Sequence, residues 1–462
     1  MPEGKHTIAV TTRILVLCAA SALLGLALFR LRPGVPITIS WNSGSQVIDG
    51  FGASATGYTG KFSSVQADRY FSDSVGLGLS LLRIHAIAET HSADCDCVAN
   101  NSPATCIPGS RSQIVEGDLQ VAQLAVARGA KLIAAPWSPP AAMKTSGKYC
   151  SGGEMVASSA NFRNYAASLA DFVALLNARG LSLFALSVQN EPDIVNSEYD
   201  TCLWKSKQIH DFLPYLASSL QSAGYGDVKI GIPEESGWKF DLMKSVTDDP
   251  AVSAHVGLLL GHAYGSGSPP DIPSFGHRHV WQTEVSNSGK FDGGMGDAIG
   301  WAKSVHEFMT AGANAWLYWN LDCGPEYFNH DNNMCLTDRK SNLAKRAFVL
   351  GNYAKFVRPG WNRIAVENSG SLLVTAYKGP NSRFAIVAIN ANASFSETQT
   401  FVLDGFPSSS WKITPWLTSS NASLAPQPVV AIDPGAAKAS GTTSISYTIP
   451  ALSVVTFYGI PD

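Results

Sequence analysis

At 462 residues the chain exceeds the usual size of one hydrophobic core, so two domains are expected. Hydrophobic residues make up 45% and charged residues 15%, the balance of a globular protein with a thin charge coat. A net charge of -3 excludes nucleic acid or an anionic membrane surface as a charge-driven partner. The 11 Trp and 14 Tyr exceed what packing alone requires, and flat aromatic faces serve as platforms for sugars or bases.

The N-terminal 33 residues read as a targeting segment, not as part of the fold. Lys5, His6 and Arg13 precede the apolar run "ILVLCAASALLGLALF" (Ile14 to Phe29), which "RLRP" closes. A basic stretch before such a run marks a secretory signal or a short signal-anchor. No A-x-A cleavage site follows, so an uncleaved anchor over 14–29 stays open. The expected location is therefore secreted, periplasmic or cell-surface, with membrane contact only through that run. Cysteine usage agrees: Cys95, Cys97, Cys106, Cys150, Cys202, Cys323 and Cys335 contain no C-x-x-C pair, which argues against zinc and for disulfides. Cys323 with Cys335 is the best pair, because both lie in one polar loop. With Cys18 inside the apolar run, the remaining number is odd, so at least one thiol is free or pairs between chains.

Residues 34–48 contain a strand, "ITISWN", expected to join a side domain. From 49 to 354 short apolar runs alternate with longer helical patterns. The runs are "DGFGAS" (Asp49 to Ser54), "LSLLRIH" (Leu79 to His85), "KLIAAPWSPP" (Lys131 to Pro140) and "LFALSVQNEP" (Leu183 to Pro192). They continue as "VKIGIPEES" (Val228 to Ser236), "GLLLGHAYG" (Gly257 to Gly265), "HVWQTEVS" (His279 to Ser286) and "NAWLYWN" (Asn314 to Asn320). Between them, segments such as "NFRNYAASLADFVALLNARG" carry apolar residues at three- and four-residue spacing and end in Gly, the pattern of amphipathic helices. Eight such repeats predict an α/β fold, a (β/α)8 TIM barrel. After "KFVRPGWNRI" the pattern changes to short strands parted by turn residues, which predicts an antiparallel β-sandwich over 355–462.

In such a barrel the chemistry sits at the C-terminal ends of the strands. Glu191 closes the fourth barrel run and Glu284 the seventh, so two carboxylates face one another across the mouth. Pro192 restricts Glu191 and stops the strand. Paired carboxylates flanking a glycosidic bond are the minimum apparatus for its hydrolysis, and a gap of about 5 to 5.5 Å gives retention of configuration. A cation such as Arg83, at the end of the second run, would keep the nucleophile ionised. No metal or organic cofactor is needed. "GYTGK" fails as a phosphate loop, since Ala55 and Phe62 stand where Gly and Ser or Thr are required.

The segments "DGFGAS", "LLRIH", "PWSPP", "SVQNEPD", "WQTEVS" and "KFVRPG", followed by "VTAYKG" and "IVAINAN", resemble glycoside hydrolase family 30, nearest in appearance to its bacterial endo-β-1,4-xylanases. The resemblance implies Glu191 as acid/base, Glu284 as nucleophile, and Asn190 as the partner of the sugar's 2-hydroxyl. It further implies Trp319 as the floor of the subsite, with Arg83, Trp137, His262 and Tyr264 around it. Trp204 is expected either to stack a sugar further out or to cover the barrel edge. Many relatives hold a glucuronic acid branch with an Arg after the eighth strand; here "WNLDCGPEYFNHDNNMC" places Asp322 and Cys323 there, and an Asp would repel a carboxylate. The expectation is a monomeric, retaining endo-xylanase of a polysaccharide substrate without strict glucuronate dependence. The alternatives are a β-1,6-galactanase or β-1,6-glucanase, or a carbohydrate-binding protein on the same scaffold.

Overall fold

The computed structural model describes residues 35–55, 62–86, 110–196, 199–265, 278–324, 332–367, 370–407, 411–430, 432 and 443–461. The expected targeting segment, together with Cys18, Cys95, Cys97 and Cys106, lies outside the described residues. Among the described residues no helix is long and apolar enough to cross a membrane.

Strand β1 (Ile37–Val47) leads into β2 (Gly50–Ser54), β3 (Leu81–His85), β4 (Lys131–Ala135) and β5 (Leu183–Ser187). The chain goes on through β6 (Lys229–Glu235), β7 (Val256–His262), β8 (His279–Glu284), β9 (Asn287–Lys290) and β10 (Ala315–Tyr318). Strands β2 to β8 and β10 close into a parallel barrel, β10 pairing with both β8 and β2. Each falls inside one of the eight expected runs, except that β7 begins one residue earlier, at Val256. Gly52 is required where β2 meets β3, since a Cβ there would lie 2.2 Å from the Leu81 carbonyl oxygen.

The helices form where the spacing predicts them. In Ser159–Ala178 the buried residues include Phe162, Tyr165, Ala166, Leu169, Val173 and Leu176, a single stripe at three- and four-residue intervals. Ser158 caps its first turn by accepting from the Asn161 N–H. Gly180 follows its end at φ 73°, the left-handed conformation that a terminal Gly supplies without strain.

Beyond the barrel come β11 (Asn332–Asn333), β12 (Asn362–Glu367), β13 (Leu373–Lys378), β14 (Phe384–Asn390) and β15 (Glu397–Asp404). The last are β16 (Trp411–Thr418), β17 (Ala425–Pro426), β18 (Thr443–Ile449) and β19 (Ser453–Pro461). β11 pairs with β9 at the barrel mouth; the rest join β1 in one sheet ordered β17-β16-β19-β14-β13-β12-β1-β15-β18. It is antiparallel except that β1 and β15 run parallel, so the side sheet is mixed. Phe401 of β15 touches Phe457 of β19 at 5.2 Å although four strands separate them in the order, so the sheet folds over on a shared core. β14 joins the two units: Phe384, Ile386 and Ala388 enter the sandwich core, while Ala385, Val387 and Ile389 pack toward the barrel.

Candidate active site

The barrel interior changes character along its length. Low in the lumen Leu81, Ile133, Leu258, Leu260, Trp281 and Leu317 form an apolar plug. Two residues beyond Leu81, Arg83 points the same way by strand alternation, and two beyond Leu260 comes His262. Arg83 is fully buried. Its Nη1 donates to Glu284 Oε2 at 2.6 Å, its Nη2 to Asn190 Oδ1 at 2.6 Å, and its Nε to Glu234 Oε1 at 3.0 Å. The guanidinium also lies 4.8 Å from the centre of the Trp137 ring. One cation thus sets the positions of two carboxylates, one amide and one aromatic face.

Glu284 ends β8, as the sequence predicts, and accepts a second hydrogen bond from the Tyr264 hydroxyl at 3.0 Å. Burial raises the Tyr264 phenol well above its ordinary value, so it stays protonated and remains a donor. Burial also raises the Glu284 carboxyl, and His262 and Arg83 act against that shift.

Glu191 is reached differently from the expectation. β5 ends at Ser187, and residues 188–191 form a short extension bonded to both neighbouring strands through Val188 N–H to Gly231 O, Asn190 N–H to Pro136 O, and Glu191 N–H to Glu234 O. Glu191 itself sits at φ 44° rather than extended, despite the proline that follows it. That backbone is sparsely populated for a residue with a side chain, a state held by the bonds around it. Its carboxylate accepts from the Tyr199 hydroxyl at 2.9 Å and from His262 Nδ1 at 3.1 Å.

His262 stands between three carboxylates: Glu191 at 3.1 Å, Glu234 at 3.6 Å and Glu284 at 3.8 Å. Burial alone would remove its charge, but Glu284, Glu191 and Glu234 outweigh burial and lift the imidazole to about 10. Burial likewise works against the Glu234 anion; Arg83 and His262 overcome it and bring that carboxyl down to about 2. One oxygen each from Glu191 and Glu284, with a His262 nitrogen, lie within 4.8 Å of one another. That spacing could seat a cation only where the His262 imidazole is neutral, since the charged ring has no lone pair to give it.

Trp319 and Trp137 complete the mouth with ring centres 5.9 Å apart, and His85 meets Trp137 edge-on at 4.5 Å. Gln189 ties this wall to β5 by donating to the Trp137 carbonyl oxygen.

Two expectations need correction. Trp204 offers no stacking face: it is 3% exposed, packed on Phe162, Tyr165 and Phe212, with its indole N–H on Gln189 Oε1. Of the two roles open to it, the structure assigns it to the barrel wall. Asp322 is 2% exposed and turned inward, accepting from the Tyr70 hydroxyl, the Thr337 hydroxyl and the Gly324 N–H. It caps a loop and presents no charge to a ligand. In the same loop Cys323 and Cys335 form the expected disulfide, and Cys202 is a free, buried thiol. Sequence reasoning missed Glu234, which the alternation of β6 would turn away from the lumen. It also missed Tyr199, for which "EYD" carries no signal at all.

The chain is 28% identical over 447 residues to the glucuronoxylanase XynC of Bacillus subtilis (strain 168), covering 92% of this chain and 93% of the relative. Among solved structures it resembles a glycoside hydrolase family 30 subfamily 8 xylanase, Xyn30A, from Clostridium acetobutylicum, with TM-score 0.75 and 28% identity over 92% of this chain and 99% of that one. A family 30 endoxylanase from Clostridium papyrosolvens gives TM-score 0.71 and 26% identity, covering 92% of this chain and 100% of that one. The sequence profile described as "Glycosyl hydrolase family 30 TIM-barrel domain" matches residues 42–330, more than half of the length, and on that match the chain belongs to glycosyl hydrolase family 30.

Proposed function

We propose that this glycoside hydrolase is an exported, monomeric, retaining endo-β-1,4-xylanase that does not require a glucuronate branch. The observation that carries the reading is the approach of Glu191 and Glu284 to within 4.8 Å across the mouth, with different partners on each. Two carboxylates that approach so closely suit direct attack by one of them. Glu284, oriented by Arg83 and Tyr264, attacks the anomeric carbon while Glu191 in its acid form protonates the leaving oxygen. Glu191, now a carboxylate steadied by Tyr199 and His262, takes a proton from the water that releases the sugar. Asn190 is fixed by Arg83 at its carbonyl oxygen, which leaves its amino group to meet the 2-hydroxyl. Trp319 and Trp137 supply the apolar wall against which a sugar ring stacks.

Likeness to xylanases favours xylan. Independence of glucuronate rests on the loop from Trp319 to Cys335, which contains no Lys or Arg to clamp a carboxylate. Export is supported by the basic and apolar N-terminal pattern and by the Cys323–Cys335 disulfide.

The test compares the chain on glucuronoxylan, unbranched xylan and β-1,6-galactan or β-1,6-glucan, with product size and anomeric configuration followed by NMR. Similar cleavage of both xylans with β-products first is expected. A strict need for the branch would overturn glucuronate independence. Cleavage of a β-1,6-glycan alone would overturn the xylan assignment and keep the two glutamates. Binding without turnover on every polymer would favour a carbohydrate-binding protein.

A further inference from the structure

Glu234 is the one fully buried carboxylate in the cluster to which the reaction above gives no part. It does not reach the mouth; Arg83 and His262 lie between it and the two reacting glutamates. Its Oε1 is shared, 3.0 Å from Arg83 Nε and 3.6 Å from His262 Nε2. The residue sits at φ 60°, and β6 slips in register against β7 between Pro233 and Glu235. Its carbonyl oxygen receives the Glu191 N–H, so the two left-handed backbones brace each other. A non-glycine left-handed residue is strained and persists where surrounding contacts hold it.

We propose that Glu234 is a positioning residue: its carboxylate orients Arg83 under Glu284 and holds His262 with a proton on each nitrogen, so that Nδ1–H stays aimed at Glu191. The inference rests on the roles given above to Glu191 and Glu284. Arg83 Nη2 lies 3.5 Å from His262 Nε2, a donor facing that nitrogen, and without an anion the imidazole would present a lone pair there. The Glu234 anion reverses that preference. The titratable groups facing this pair are Arg83 from β3, Glu191 and Tyr199 from the segment after β5, Tyr264 after β7, and Glu284 from β8. With Arg83 and His262 charged and Glu191 in its acid form, two cations offset the Glu234 and Glu284 anions. Formation of the ester at Glu284, with transfer of the Glu191 proton to the leaving oxygen, moves the negative charge from Glu284 to Glu191, and the imidazolium then stabilises Glu191 as the base for the second step.

The test uses the full chain with isotope-labelled histidine, the His262 signal being assigned by its loss in His262→Asn. In the parent His262 is expected to remain doubly protonated at about pH 8, above the ordinary titration of histidine. A neutral ring there would overturn the proposal without any variant or any polysaccharide, so this result stands apart from the identity of the sugar. In Glu234→Gln the His262 midpoint falls by at least about one pH unit. The alkaline limb of the activity profile moves down with it, and kcat drops about tenfold to a hundredfold with KM little changed. Glu234→Asp, which keeps the charge, restores the pH profile. Equal profiles in the Gln and Asp variants, or an unchanged His262 midpoint in Glu234→Gln, would reduce Glu234 to a packing role.

Discussion

The two ends of the barrel are built from the same strands and obey the same alternation, yet one holds leucines and the other holds charges. β3 gives Leu81 to the lower lumen and Arg83 to the mouth; β7 gives Leu258 and Leu260, then His262. Below, Phe184 stacks on Trp281 at 5.5 Å with Lys131 4.7 Å from the Phe184 ring centre, and Asp49 accepts the Trp281 indole N–H beside His279. Above, five ionisable side chains occupy the same cross-section. The lower end exists to be filled, and the upper end is organised so that no charge is without a counter-charge while two carboxylates stay within reach of a ligand. A substitution below should change stability alone; one above should change chemistry, and stability as well where it leaves a buried charge without its counter-charge.

The strongest test of that division is Glu284→Gln. Its turnover on the responsive polymer should fall about a thousandfold or more while the unfolding midpoint stays near the parent value. Retained turnover would remove Glu284 from the reaction. Arg83→Met comes next, because it leaves Glu234 and Glu284 buried beside no guanidinium. Denaturant unfolding should register a loss of about 3 to 5 kcal/mol, with turnover lost as well. A folded, stable Arg83→Met variant would mean that His262 alone neutralises the cluster. Leu258→Ala, in the plug, should cost about 2 to 5 kcal/mol in the same assay and leave KM and the pH profile unchanged. An altered pH profile there would couple the two ends.

The smallest effect is the pH dependence of stability. His262 is raised in the folded state to about 10, so its contribution is complete below the ordinary histidine value near 6.5 and is lost as pH climbs through about 10. Glu234 is depressed to about 2, so its contribution is present above about 4.5 and is lost as pH falls toward about 2. Chemical denaturation across pH should therefore give a plateau with a decline on either side. Glu234→Gln should flatten the acid side, and an unchanged acid limb would place the titration elsewhere.

All eight barrel strands were legible because each is a short apolar run followed by a helical stripe, and Glu191 and Glu284 were legible because each lies where a run ends. Glu234 shows where that logic fails. Ile230 and Ile232 pack outward against the helices, so strict alternation sends Glu235 to the lumen and Glu234 away from it. The register slip and the φ of 60° exchange them: Glu234 turns to Arg83, and Glu235 instead accepts from the Phe240 and Leu242 N–H groups. Burial, opposed only weakly by those bonds, pushes Glu235 up to about 7. Trp204 and Asp322 misled for another reason. Both sit in loops, where residue type says nothing of direction, and the partners that bury them, Phe162 and Tyr70 among them, are remote in sequence.

The place of β1 has a consequence for how the chain is made. Its register runs against both β12 and β15, so it is an interior strand of the side sheet, and everything that pairs with it is synthesised after the whole barrel. On the ribosome this strand emerges before the barrel and waits, with both edges open, while some three hundred residues follow. The barrel is in effect an insertion inside a sheet. Removing the C-terminal strands would strand an adhesive ribbon at the other terminus, and a truncated barrel intended for production should therefore lose β1 along with them.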